Sequence, residues 1–317
     1  MLSICSESSG WRARRIARAL FVPTILVLSS ALVYAAGSRE PSSTAPQAGR
    51  IPVVAAENFY GDVASQIGGA KVAVTSILNN PNVDPHEYES SVNDAKSVAN
   101  ARLVIENGGG YDDWMGKLLS ASPDPSRIVI TAYKIAPVHL PENEHVFYNL
   151  DNMDAVAKAI RDSLSKLDPS SAPEFDRNYV TFVASLGPVR AEMAKIKSAY
   201  AGTPIGLTET IFLYQALPMD LKVLTPFAFQ KAISEGNDPP ADAAISAEQQ
   251  VKEKQIRVLI YNEQTVTQIT TRLEKEARTA GIPIIGVTET MPPADHYQSW
   301  ILNQLEELQK ALASSAG

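Results

Sequence analysis

Eight short β-branched runs, four in each half of the chain and separated by stretches of helical periodicity, limit what this sequence can fold into. The first four are Ile51-Pro-Val-Val-Ala55, Val72-Ala-Val-Thr75, Arg102-Leu-Val-Ile105 and Arg127-Ile-Val-Ile-Thr131. The second four are Pro204-Ile-Gly-Leu-Thr208, Leu221-Lys-Val-Leu224, Arg257-Val-Leu-Ile-Tyr261 and Pro283-Ile-Ile-Gly-Val-Thr288. Between them, segments such as Met153 to Leu167 and Val266 to Ala277 carry apolar residues at three and four spacing, which predicts helices. Strands that alternate with helices form parallel sheets covered on both faces. About 267 residues follow Arg50, more than a single core usually serves. The pattern therefore predicts two α/β domains, over 51–170 and 203–317.

The segment between them, 171–202, places Phe175, Tyr179, Phe182, Val183, Leu186, Val189, Met193 and Ile196 close to helical period. It predicts one long connecting helix of about 40 Å, at about 1.5 Å per residue. Gly187-Pro188 is the expected kink, because proline inside a helix removes a hydrogen bond and crowds the preceding turn. A stiff strut of this kind predicts modest domain movement, unlike a flexible hinge of several strands.

Arg12, Arg14, Arg15 and Arg18 precede an apolar stretch from Ala19 to about Ala36 that ends in small residues. This is the layout of a secretory signal over 1–35, with Val33 and Ala35 at the cleavage positions. About 20 apolar residues span a bilayer, so an uncleaved N-terminal membrane anchor is the alternative. Residues 36–50, rich in Ser, Pro, Ala and Gly, read as a flexible linker. The one cysteine, Cys5, lies ahead of the apolar run rather than just after it, where a lipid-anchoring cysteine would stand. These features predict a diffusible protein of a bacterial periplasm.

The whole chain has 28 basic and 35 acidic residues. Without 1–35 they become 24 and 34, since four arginines and Glu7 are lost, for a formal charge near −10. That acidity argues against a nucleic-acid partner and predicts a soluble monomer. With Cys5 gone no thiolate remains, so any metal must be held by imidazole and oxygen.

Asn82 to Glu89 reads Asn-Val-Asp-Pro-His-Glu-Tyr-Glu and seats one of only four histidines, His86, behind a rigid Asp84-Pro85 step. Ligands on open α/β sheets bind at the carboxyl ends of the strands, so the residues following each strand are the ones to inspect. His86 follows the strand at 72, and His145 lies in Asn143-Glu-His-Val-Phe-Tyr-Asn149 after the strand at 127. In the second half the same tripeptide occurs twice: Thr208-Glu209-Thr210 after the strand at 204 and Thr288-Glu289-Thr290 after the strand at 283. Two carboxylates brought together in a cleft repel unless a cation neutralises them. Two histidines and two glutamates make an N/O set suited to Mn, Fe or Zn. Ligands on both domains would let the ion fix their relative position.

On Asp84-Pro85-His86-Glu87-Tyr88-Glu89, the Ala101-to-Val104 strand leading to Asn107-Gly108, the Asn143-to-Tyr148 segment and Glu289, the chain resembles the zinc- and manganese-binding periplasmic solute-binding proteins of ABC transporters. The resemblance covers essentially all of 51–317. It implies two α/β domains joined by one long helix, with one divalent transition metal as cargo in the cleft between them. It also implies delivery to a membrane permease driven by a cytoplasmic ATPase, and no catalysis. His86 and His145 match the family's first and second ligands, Glu209 the third and Glu289 the fourth, where Asp is more usual. The longer Glu289 and the lack of a His- and acid-rich loop tilt the expectation towards manganese or iron over zinc.

An exported metal-dependent hydrolase and a surface adhesin are the competing readings. A hydrolase normally keeps an open metal position and a general base, and the chain has no His-Glu-x-x-His and no Gly-x-Ser-x-Gly. His139, six residues before His145, reads as a solvated loop histidine with a secondary metal contact as its alternative. His296 reads as structural, and Glu57 and Glu106 as surface or capping residues. Gly108-Gly109-Gly110 lacks the spacing of a phosphate loop, and Tyr111 and Trp114 read as packing on the domain surface.

Overall fold

A computed structural model describes residues 49–81, 83 and 85–314. The signal segment, nearly all of the linker, and Asp84 therefore lie outside the described residues. The first half runs β1 (Ile51–Glu57), α1 (Asn58–Gly68), β2 (Val72–Leu78), α2 (Val92–Asn100), β3 (Leu103–Glu106), α3 (Asp113–Ala121), β4 (Ile128–Thr131), α4 (Ala132–Ile135) and α5 (Leu150–Leu167). Then come α6 (Ala172–Ser185) and α7 (Gly187–Tyr200). The second half follows as β5 (Pro204–Leu207), α8 (Leu213–Ala216), β6 (Lys222–Val223), α9 (Phe227–Ser234), α10 (Ala241–Lys252), β7 (Leu259–Asn262), α11 (Gln268–Ala280), β8 (Ile284–Val287) and α12 (Tyr297–Ser314).

Each half holds a four-stranded parallel sheet, in the order β2-β1-β3-β4 and β6-β5-β7-β8. The two orders are the same once the strands are numbered within each half. In both, the chain reverses direction of travel on either side of the first strand, which creates a crevice at the carboxyl ends. The strands are nearly continuous apolar runs because helices cover both faces; Val53, Val54, Ala55, Leu103, Val104 and Ile105 are all buried.

Local chemistry sets the helix boundaries. Asn149 caps α5, its side chain accepting from the backbone N–H of Asp151 and Asn152. Thr267 and Thr270 form a reciprocal capping box on α11, and Gly281 ends that helix in the left-handed region at φ 75°. The expected single connecting helix over 171–202 is two helical segments, α6 and α7, that meet at Leu186. Pro188 sits in the first turn of α7, where its missing N–H has no intrahelical partner to lose, so the chain starts a new helix instead of kinking an old one.

The described residues fall within one compact unit, and the halves share a continuous core. Phe59 of the first half stacks on Phe147 at 4.3 Å between ring centroids and on Trp300 of α12 at 5.7 Å. Polar bonds cross at the same level. Asn58 donates to the Met291 carbonyl at 2.6 Å and accepts from its N–H at 3.0 Å. The Tyr148 hydroxyl donates to the Thr288 carbonyl at 2.7 Å, and Tyr297 to the Phe147 carbonyl at 2.7 Å. A buried aromatic interface with bonded polar groups resists wide opening. Phe147→Ala is expected to cost about 3–5 kcal/mol and to keep one cooperative calorimetric transition; two separated transitions would show that the halves unfold independently.

Candidate metal centre

The carboxyl ends of the strands from both halves meet at one buried cluster. His86 lies in a 3-10 turn, Pro85–Glu87, beyond β2. His145 immediately precedes a second one, Val146–Tyr148, beyond β4. Glu209 follows β5 and Glu289 follows β8. The facing Nε2 and Oε2 atoms of His145 and Glu289 are 3.6 Å apart, and those of His86 and Glu289 3.8 Å. Ligand atoms of His86, His145 and Glu289 all lie within 4.8 Å of one another. Two donors bound to a common ion at about 2.0–2.2 Å stand at most about 4.4 Å apart, so the spacing of these facing atoms suits one small cation. Glu209 is buried beside them, but its carboxylate is not part of that closest set.

Surrounding bonds aim these side chains. Asn143 Oδ1 stands 3.1 Å from His145 Nδ1 and accepts from the His145 backbone N–H at 3.0 Å, which leaves Nε2 facing the cluster. For Glu289, Oε1 accepts from the Asn262 amide at 2.5 Å and faces the Thr265 hydroxyl at 3.4 Å, while Oε2 points at the imidazoles. His145 Nε2, Glu209 Oε1 and Glu289 Oε2 are buried and make no hydrogen bond among the described residues. Buried polar atoms left in this way are costly, and a cation held among them would offset that cost.

The electrostatics agree. Burial raises Glu209, the Glu289 charge adds to the rise, and His145 opposes it; the result is pushed up to about 8. Burial also works against ionised Glu289, yet His145 at 3.6 Å, the His86 charge and the Asn262 hydrogen bond bring it down to about 2. His145 is disfavoured as a cation by burial but is surrounded by Glu209, Glu289 and Glu144, which raise it to about 10. Without an ion, protons do the neutralising.

Several residues around the cluster were misread or missed in the sequence. Tyr111 is buried rather than on the domain surface, with its ring 5.0 Å from that of His86 and 5.7 Å from that of His145. Trp114 is buried against Tyr88. Glu57 is neither a surface nor a capping residue: it is fully buried, both oxygens lack hydrogen bonds among the described residues, and it makes no side-chain cap. Glu106 accepts a 2.8 Å hydrogen bond from Thr131. Gln264, beyond β7, ties both halves of the site: it donates to the Val83 carbonyl at 2.8 Å and accepts from the Glu289 and Thr290 N–H groups at 2.5 and 3.1 Å. The rule that locates ligands at strand ends would have singled out Asn262 and Gln264 as well. His139 packs on Tyr133 at 4.7 Å outside the cluster, and His296 pairs with Asp62 on the exterior. Gly108, Gly109 and Gly110 all have positive φ, and a Cβ on Gly109 would strike the Tyr133 ring at 2.6 Å.

Residues 53–311 match the family described as the periplasmic component A of a zinc-uptake complex. The chain belongs to that family. Among curated proteins, it is 26% identical over 167 residues to the manganese-binding lipoprotein MntA of Halalkalibacterium halodurans, covering 51% of this chain and 55% of MntA. It is 28% identical over 192 residues to the iron-binding protein YfeA of Yersinia pestis, covering 57% and 60%. The chain thus spans a little over half the length of the curated relatives it matches. Solved structures share its fold over most of its length. The periplasmic zinc-binding protein TroA of Treponema pallidum superposes with a TM-score of 0.71 at 18% identity, covering 84% of this chain and 99% of TroA. A Mn-bound periplasmic metal-binding protein of Candidatus Liberibacter asiaticus gives 0.69 at 19%, covering 83% and 100%. These confirm the expected pair of parallel-sheet α/β domains with a helical connection.

Burial, then the charges of Asp112 and Glu106, hold the Glu57 carboxyl well above the usual carboxylate range. Between its unfolded value of about 4.3 and that raised value the folded protein binds more protons, so stability falls as pH rises through the window. Glu57→Gln is expected to raise Tm at pH 7, by about 2–4 °C per kcal/mol recovered, with the gain shrinking towards pH 4.5. A pH-independent or negative Tm change in thermal melts would contradict a neutral buried Glu57.

Proposed function

We propose that this protein captures one divalent transition-metal ion, Mn, Zn or Fe, outside the inner membrane and delivers it to an ABC permease with its cytoplasmic ATPase for import. The observation that carries the reading is the convergence of partly exposed His86 with buried His145 and Glu289, with buried Glu209 nearby, at the strand ends of both sheets. His86 and His145 come from the half over 51–170, and Glu209 and Glu289 from the half over 203–317, with 171–202 connecting them. The family match and the metal-binding relatives support the same assignment. The ion is cargo, not a cofactor: four protein ligands leave no open position for a substrate, and the protein catalyses nothing.

It acts as a monomer in the periplasm, exported by the segment over 1–35. None of the helices among the described residues is long and apolar enough to cross a membrane. Because binding would draw the ligands of the two halves onto one ion, the loaded state presents a fixed relation between the halves that a permease can read.

Two outcomes test this. Loss of His86 or His145 leaves carboxylates clustered without enough donors to complete a metal site, so His86→Ala is expected to abolish the metal-dependent rise in Tm. In the intact protein that rise corresponds to about 2.7 kcal/mol at a hundredfold excess over Kd. A full wild-type shift in the variant would sink the assignment. With His145 raised to about 10 and Glu209 to about 8, both hold protons at pH 7 in the metal-free protein, and coordination requires that they leave. Calorimetry in buffers of different ionisation enthalpy is therefore expected to find roughly two protons released per ion at pH 7, and affinity that weakens as pH falls. Binding without proton release would contradict this ligand set.

A further inference from the structure

A cavity of about 460 Å³ lies against the cluster, with His86, Tyr133, Glu142, Glu144, Lys231 and Glu235 in its wall. Its wall includes His86 but not His145, Glu209 or Glu289, so His86 stands at the boundary between the vestibule and the buried centre. Exposure follows that order: the side chains of His86 and Glu144 are 23% and 17% exposed, and those of His145 and Glu289 are 0% and 1%.

The carboxylates of the vestibule differ in what holds them. Glu142 and Glu235 share the Lys231 ammonium, which lies 3.6 Å from Glu142 and in closer contact with Glu235. Glu144 instead faces the Ser234 hydroxyl at 3.4 Å and turns Oε1 towards His86 Nε2 at 3.7 Å. The same nitrogen stands 3.8 Å from Glu289 Oε2. One imidazole nitrogen therefore faces both a partly exposed carboxylate and a buried one at nearly equal distances. Both separations are within the span of about 4.4 Å that two donors of one ion allow.

We propose that Glu144 is a transit ligand: an incoming divalent cation is held first between Glu144 and His86, then passes inward as Glu289 replaces Glu144. This inference rests on the metal-binding reading given above. His86 keeps the ion throughout, so only carboxylate oxygens exchange, and no step strips it of protein ligands. The inner end of the path is the set of buried atoms without hydrogen bonds, His145 Nε2, Glu209 Oε1 and Glu289 Oε2. Release retraces the same path.

A transit ligand has a kinetic signature that neither a resident ligand nor a rim charge shares: it speeds binding and release alike and leaves the equilibrium nearly untouched. The test is stopped-flow and equilibrium binding of Co2+ to the full chain, read by the d–d absorption of the coordinated ion, for the wild type and for Glu144→Gln, Glu144→Asp, Glu142→Gln and His86→Ala. Glu144→Gln is expected to slow association and dissociation together, each by about tenfold, which corresponds to about 1.4 kcal/mol on the shared barrier. Its Kd stays within about twofold, Glu144→Asp restores most of the rate, and Glu142→Gln changes only association, in a manner that vanishes at high salt. A Kd weakened as in His86→Ala would make Glu144 a resident ligand and overturn the proposal. So would rates for Glu144→Gln that fall no further than those of Glu142→Gln. Absence of any Co2+ spectrum in the wild type would remove the metal reading itself, and the transit role with it.

Discussion

Two carboxylates and two imidazoles are held together at the junction of the halves, three of the four with almost no contact with water. A site of this kind is unfavourable when left to itself, since burying like charges raises one of them until it takes a proton. The rest of the molecule is arranged so that the unfavourable set persists. Beneath it, Phe59, Phe147 and Trp300 weld the halves into one core, and Asn58, Tyr148 and Tyr297 close the polar backbone groups across the seam. The frame is stable on its own terms, so it can hold an electrostatically unsatisfied cluster open. On the proposed function, the ion supplies the missing neutralisation and gains affinity from a site already assembled.

The supporting residues divide Glu289 and His145 each into a fixed part and a presented part. Glu289 gives one oxygen to Asn262 and keeps the other for the cluster; His145 is oriented through Asn143 at one nitrogen and presents the other. Gln264 bonds to the backbone at Val83 and at Glu289, so the loop of one half and the strand end of the other are set relative to each other by a single amide. Such outer contacts normally tune affinity nearly as strongly as the ligands themselves.

Much of this was readable in the sequence, for identifiable reasons. Parallel strands buried on both faces read as unbroken β-branched runs, so Ile51–Glu57 and Leu103–Glu106 declared themselves. The residues beyond the strand ends gather at the cluster, and the repeated Thr-Glu-Thr marked two of its buried carboxylates, Glu209 and Glu289. What stayed hidden depends on contacts between distant segments. Glu57 ends a strand as Glu106 does, and nothing in its local sequence distinguishes the fully buried acid from the partly buried one. Tyr111 read as packing on the domain surface, since the contacts that bury it come from distant segments; in space it lies against both histidines. The break at Leu186 could be placed only to within a residue or two, since Pro188 is compatible both with a kink and with a new helix start.

The account stands on one ion shared by both halves of the chain. Anomalous-scattering maps from crystals of the metal-loaded protein, recorded on either side of the Mn, Fe and Zn absorption edges, test it most directly. The prediction is one peak about 2.0–2.2 Å from donor atoms of His86, His145 and Glu289, with Glu209 turned in as the fourth ligand. A peak bound by residues of one half alone, or no peak in that cluster at stoichiometric metal, would contradict it.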